Sequence, residues 1–146
     1  MIERNDEYYM RLALKEAEKA LEEGEIPVGA VVVCEDQIVA KAHNQTERLN
    51  DATAHAEMIA LTAAMNALGA KYLSECTVYV TLEPCQMCSG ALYWSKVKRL
   101  VFGATDEQRG FEHIGCRVHP QTDITRGILK EESEELMKRF FLKIRK

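Results

Sequence analysis

The sequence predicts an α/β protein, a three-layer α/β/α sandwich around a mixed five-stranded sheet. Three observations predict it. Two strand-like runs, Val28 to Cys34 and Gln37 to Ala42, are separated only by Glu35-Asp36, so they form a hairpin and an antiparallel pair. After the hairpin, helical and strand-like segments alternate, which implies crossovers, parallel pairing and helices on both faces of the sheet. The chain has 146 residues, of which 47% are apolar and 29% charged, the balance of one globular domain with a real core. No repeat, low-complexity tract or Pro/Gly/Ser-rich linker divides residues 1–146.

Each element has its own signal. Residues 5–23 place Tyr9, Leu12, Ala13, Ala17, Ala20 and Leu21 at helical period, with Gly24 as the stop. The hairpin follows. Thr53 to Leu68 is rich in Ala, Met and Leu, with Asp51 and Thr53 as candidate caps and Gly69 as the stop, and reads as a second helix. Cys76 to Leu82 alternates and is β-branched, hence a strand. Pro84 stands where a helix would begin, so Cys85 to Ser95 is read as the third helix. Val97 to Phe102 is a strand closed by Gly103, and a short fifth strand is expected near Thr122 to Thr125. Leu136, Met137, Phe140, Phe141 and Ile144 give a closing helix an apolar stripe. Thr105 to Gln121, with Gly110 and Gly115, fits no element and is long enough to be a functional loop.

The bulk properties exclude several classes. The longest apolar stretch, Val28 to Cys34, is far too short to span a bilayer. The start of the chain, Glu3-Arg4-Asn5-Asp6-Glu7, lacks the apolar core of a secretory signal, so the expected compartment is the cytoplasm. Cys34, Cys76 and Cys116 are scattered singly and do not read as a disulfide framework; Cys34 and Cys76, at the ends of strand-like runs, read as small buried hydrophobes. The net charge of −4 does not attract nucleic acid as a whole. The C-terminal end is basic, with Lys138, Arg139, Lys143, Arg145 and Lys146, which suits either a phosphate backbone or the dipole of a final helix.

The chemistry lies in a split motif, His55-Ala56-Glu57 and then Pro84-Cys85-Gln86-Met87-Cys88. Cys85 and Cys88 are three apart, which places both thiols on one face at the start of a helix, where the dipole favours thiolate. His55 stands at the start of another helix. One imidazole and two thiols make a three-ligand zinc site whose fourth position stays open for water, the layout of a catalytic site. Glu57 is poorly spaced to be a further ligand and well placed as an acid/base in the first helical turn. A structural zinc site would need a fourth ligand, for which Cys116, His113 and His119 are candidates. A thioredoxin-like redox pair fits less well, because Pro84 precedes the first cysteine and the βαβ context is wrong.

The combination His-x-Glu with Pro-Cys-x-x-Cys resembles the zinc-dependent nucleobase deaminases. The likeness extends through Pro27-Val28-Gly29-Ala30, His43-Asn44, Thr53-Ala54-His55-Ala56-Glu57, Tyr79 to Cys88, Gly90-Ala91, Val101-Phe102-Gly103-Ala104 and Phe140-Phe141 before basic residues. It is similar over nearly the whole chain to the bacterial tRNA-specific adenosine deaminases of the cytidine/deoxycytidylate deaminase superfamily. The resemblance implies a cytidine deaminase-like fold, a homodimer and one zinc per subunit held by His55, Cys85 and Cys88. It implies hydrolysis of the wobble adenosine of a tRNA anticodon stem-loop to inosine, with Glu57 carrying the protons. It also implies substrate contacts from Asn44, the amide of Ala56, Asp106, Phe140 and Phe141. The chain departs from the family by having Gln108 near a usual lysine, leaving Arg109 as the nearby charge, and by having Gln121 where relatives often carry lysine. Gly69-Ala70-Lys71-Tyr72 and Leu92-Tyr93-Trp94 also echo guanine deaminases, which act on a free base. A free purine-base deaminase is therefore the alternative enzyme, and a non-catalytic zinc-stabilised RNA-binding protein the alternative of another class.

Overall fold

The computed structural model describes residues 3–144; Arg145 and Lys146 of the basic C-terminal end lie outside the described residues. Helix α1 spans Asp6–Glu22, strands β1 and β2 span Gly29–Cys34 and Gln37–His43, and helix α2 spans Ala56–Leu68. Then come β3 (Cys76–Leu82), α3 (Gln86–Ser95), β4 (Arg99–Ala104), β5 (Asp123–Arg126) and α4 (Lys130–Ile144). The five strands form one sheet in the order β2-β1-β3-β4-β5. β1 runs antiparallel to both β2 and β3, whereas β3, β4 and β5 are parallel. The mixed sheet expected from the element order is the one observed.

The strand sequences explain the layering. β1 is flanked by strands on both edges and covered on both faces, so it is a continuous apolar run without polar alternation. Its side chains still divide by parity. Val31 and Val33 pack with Tyr9, Met10, Ala13, Tyr79 and Val101, under α1. Ala30 and Val32 pack with Ala56, Ala60, Leu61, Ala64 and Leu92, under α2 and α3. Helix α4 joins α1 on the first face through Leu136, which packs with Leu14, Ala17 and Leu21. At Gly29 a Cβ would run into the backbone of Ala13 and Ala17, so only glycine lets α1 lie this close to the sheet.

Several boundaries differ from the sequence expectation for physical reasons. The second helix begins at Ala56, not near Thr53, because Asp51 spends its carboxylate on a turn, accepting from Thr53 N at 2.8 Å and Thr53 Oγ1 at 2.7 Å. β4 does not stop before Gly103 but runs through it to Ala104. β5 is displaced by one residue, to Asp123–Arg126. On α4 the apolar stripe is only partly used: Leu136 is buried, while Phe141 and Ile144 are exposed. Cys34 and Cys76, far apart in sequence, face each other directly across β1 and β3. Both remain thiols. Burial, reinforced by hydrogen bonding to Cys34, pushes the Cys76 thiol up to about 12, so it is an unreactive thiol in the core.

Two features of this topology position a site. β2 and β3 both end at the same edge of the sheet, since each is antiparallel to β1, and β4 ends there too. Chain segments leaving these carboxyl ends are the usual source of ligand-binding groups in α/β sheets. The parallel β4-to-β5 crossover contains no helix; the loop from Thr105 to Thr122 takes that place, anchored in the α2/α3 core by Phe111 and Val118.

Candidate active site

His55 and Cys85 are both N-cap residues, of α2 and α3 respectively, and neither side chain bonds to its own helix. Two helix starts thus face one region, and their dipoles make it favourable for negative charge. Cys85 is there because β3 ends at Leu82 and Glu83-Pro84 turns the chain; proline lacks the N–H that a helix entry would leave unpaired. The start of α2 is capped from a distance: Asn44, just beyond β2, accepts the Ala56 N–H on its Oδ1 at 2.8 Å.

His55 Nδ1 lies 3.6 Å from Sγ of Cys85 and 3.6 Å from Sγ of Cys88. Zinc at its usual distances of about 2.0 Å to nitrogen and 2.3 Å to sulfur, at the tetrahedral angle, separates N and S by about 3.5 Å. The donor set and its spacing therefore fit zinc. Among the described residues these three form the one cluster of metal-ligating side chains. The other candidates for a fourth ligand are engaged elsewhere. His113 lies 3.4 Å from the Glu83 carboxylate. The His119 ring packs against Tyr93, and Cys116 packs against the core. Three ligands leave the fourth position open.

The electrostatics of the cluster agree with this assignment. Hydrogen bonding from Cys88, assisted by His55, brings the Cys85 thiol down to about 3. The same bond, together with burial, pushes the Cys88 thiol upward. Glu57 is 4% exposed, and burial lifts its carboxyl to about 7 although the nearby imidazole opposes the shift. Two thiols and a carboxyl with only one imidazole lack the positive charge needed to ionise together, which is what a cation-binding cluster requires. Above it opens a cleft of about 500 Å³, walled by Ala52, His55, Cys85 and Met87 on one side and by Gln108, Arg109 and Ile114 of the crossover loop on the other. A larger cleft of about 620 Å³ between α1 and α4 holds charges of both signs, among them Arg11, Glu18, Glu131 and Arg139, and none of the metal-ligating cluster.

The profile of the cytidine and deoxycytidylate deaminase zinc-binding region matches residues 3–104, which include the whole ligand set. The tRNA-specific adenosine deaminase of Aquifex aeolicus is 43% identical over 144 residues, 95% of each chain. That of Bacillus subtilis is 44% identical over 147 residues, 97% of this chain and 91% of the relative. The chain belongs to the tRNA-specific adenosine deaminase family. Among solved structures, a tRNA:A34 deaminase studied for A-to-I editing at the wobble position superposes with a TM-score of 0.81 at 39% identity, covering 88% of this chain and 98% of that one. A guanine deaminase from Nitrosomonas europaea has the same TM-score of 0.81 at 25% identity, covering 96% and 86%. The cofactor of this deaminase is zinc.

The structure brings together some of the residues implied by family resemblance and separates others. Asn44 and Ala56 meet directly through the bond already described, both buried beside the ligand cluster. Asp106 is in the crossover loop, where its carboxylate accepts the N–H groups of Gln108 at 3.1 Å and Arg109 at 3.0 Å. It thereby shapes the wall that those two residues form, without lining the cleft itself. Phe140 and Phe141 stand on α4, ring centroids 5.4 Å apart, and do not line the cleft. Sequence reasoning gave no role to Met87 and Ile114, which supply apolar wall, or to Glu83, although Glu83 stands within the Tyr79 to Cys88 stretch of family likeness at the end of an apolar strand.

Proposed function

We propose that this protein is a single zinc-dependent deaminase domain that hydrolyses the wobble adenosine of a tRNA anticodon to inosine, releasing ammonia. The observation that carries the reading is the open three-ligand cluster of His55, Cys85 and Cys88 with the buried carboxyl of Glu57 beside it. Zinc at such a site supplies a water nucleophile at neutral pH and a Lewis acid. Glu57 would take one proton from that water and pass it to the ring nitrogen, then take the proton of the new C6 hydroxyl and pass it to the leaving amine, which departs as ammonia. Burial suits it to this role by raising its proton affinity towards neutrality. Asn44 has its oxygen committed to Ala56 N, which fixes its rotamer, and its amide nitrogen is free to donate to a base edge. The walls of the cleft are apolar enough to hold a flipped purine, as deaminases acting on structured nucleic acid require.

The RNA reading also draws on α4, where the exposed Phe141 stands near Lys138, Arg139 and Lys143; aromatic and basic groups together suit an unstacked anticodon loop. Asp106 takes part by holding Gln108 and Arg109 towards the RNA. A homodimer is the assembly proposed. Trp94 is 74% exposed beside Tyr93, and Lys96 places its ammonium 4.5 Å from the Tyr72 ring, an aromatic face that a second copy would cover. The site of action is the cytoplasm; no helix among the described residues is long and apolar enough to cross a membrane.

The deciding experiment offers the zinc-loaded protein an anticodon stem-loop with wobble adenosine and, separately, free guanine. Inosine from the stem-loop, with guanine untouched, is the expected result. Turnover of guanine alone would move the chain to the free-base reading that the Nitrosomonas likeness represents.

A further inference from the structure

Glu83 lies outside the catalytic cluster, yet its side chain is fully buried and each carboxylate oxygen is committed. Oε1 accepts Asp106 N at 3.0 Å, and Oε2 accepts Glu112 N at 3.0 Å. These two amides stand at opposite ends of the crossover-loop segment that walls the cleft. His113 Nδ1 approaches Oε1 to 3.4 Å, and the Arg126 guanidinium, paired with the Glu112 side chain, adds its positive field to the same group. The loop is drawn down tightly: a Cβ at Gly110 would overlap the Glu83 carboxylate and the Asp106 carbonyl. Phe111 N bonds to the Pro84 carbonyl at 2.9 Å, and its ring meets Phe102 edge-on.

The connection onward to the cleft is direct. With its N–H held by Glu83, Asp106 accepts Gly110 N on its carbonyl at 2.8 Å and the N–H groups of Gln108 and Arg109 on its carboxylate. Gln108 and Arg109 then face His55 and Cys85 across the opening. We propose that Glu83 is a positioning residue for substrate, its buried carboxylate clamping both ends of the 106–112 segment so that Gln108 and Arg109 are held over the zinc cleft. A carboxylate is the side chain suited to the position, since it alone offers two acceptor oxygens and no donor to meet two inward-pointing amides. Glutamine would turn an N–H₂ group towards one of them and leave a buried donor unpaired.

The proposal rests on the RNA-deaminase reading for its kinetic arm and on nothing beyond the fold for its other arm. The test compares Glu83→Gln and Gly110→Ala with the unaltered protein, each loaded with zinc. KM and kcat are measured on the anticodon stem-loop, and amide hydrogen exchange is followed along the chain. Both variants are expected to retain one zinc, raise KM at least tenfold and lower kcat less than threefold. Exchange should accelerate at least tenfold over residues 105–115 alone. Unchanged KM and exchange in both variants would overturn the proposal. So would loss of zinc or a collapse of kcat in both, which would assign Glu83 to the metal loop instead. If Glu83→Gln does not fold, Gly110→Ala decides, because it disturbs the clamp from the loop side and away from the ligands. If the unaltered protein forms no inosine, the substrate reading fails, and hydrogen exchange still judges the clamp.

Discussion

Glu57 and His55 are two residues apart, a spacing that in mid-helix would send their side chains in nearly opposite directions. They serve one site because His55 is the N-cap of α2, with extended backbone angles (φ −75°, ψ 152°), while Glu57 is already helical. The carboxyl is buried, as is Cys88, and it is not part of the metal-ligating cluster among the described residues. Glu57→Gln therefore removes the carboxyl proposed to carry the protons and leaves the donor set intact. It should retain one zinc per chain by atomic absorption and lose about 10²- to 10⁴-fold in kcat, the contribution of a well-placed acid/base. Retained turnover would remove Glu57 from the mechanism. The three ligands were readable from the sequence because their spacing within each half of the motif is local, and the same locality marked Glu57 as the candidate acid/base. Asn44 and Ala56 entered only through family resemblance, and the bond that joins them was not readable because β2 and α2 come together through the fold. Glu83 was hidden for the same reason: its partners, Asp106 and Glu112, lie across a crossover whose path no local pattern encodes.

At the scale of elements, α1 is tied to the sheet by more than its apolar stripe. Asp6, in its first turn, receives both terminal nitrogens of Arg99 on β4, at 2.7 and 2.5 Å, and the Tyr79 hydroxyl of β3 at 2.9 Å. The hydrogen bonds from Arg99 hold the Asp6 carboxyl below the ordinary carboxylate range. A carboxyl with a depressed folded-state pKa contributes its stability above the unfolded value, about 3.9, and loses it as pH falls through the folded value. Asp6→Asn should thus lower the urea midpoint at pH 7 and converge on the unaltered protein as pH falls through the depressed folded-state value. An equal midpoint difference at pH 7 and below that value would exclude this linkage. The element order, both hairpin strands and the parallel pairing were legible because apolar period and turn residues carry them. The start of α2 and the end of β4 were less so. Asp51 is a good cap that the chain uses for a turn, and Gly103 looks like a stop but lies within a paired strand.

For the whole molecule, the sheet topology is what assembles the site. Antiparallel pairing on one side of β3 and parallel pairing on the other bring the ends of β2, β3 and β4 to one edge, where Asn44, Cys85 and the crossover loop converge. The net charge of −4 means that RNA is not gathered by the overall field, so selectivity rests on the cleft and on the local groups around it. Conversion of the wobble adenosine at this site requires zinc. The most direct test strips the protein of metal, titrates zinc back, and measures inosine in the anticodon stem-loop by nucleoside analysis at each step. Inosine formation should be absent from the stripped protein and rise in proportion to zinc until one equivalent per chain is bound, then level off. Inosine formed without zinc, or a fully loaded protein that leaves the wobble adenosine unchanged, would contradict it.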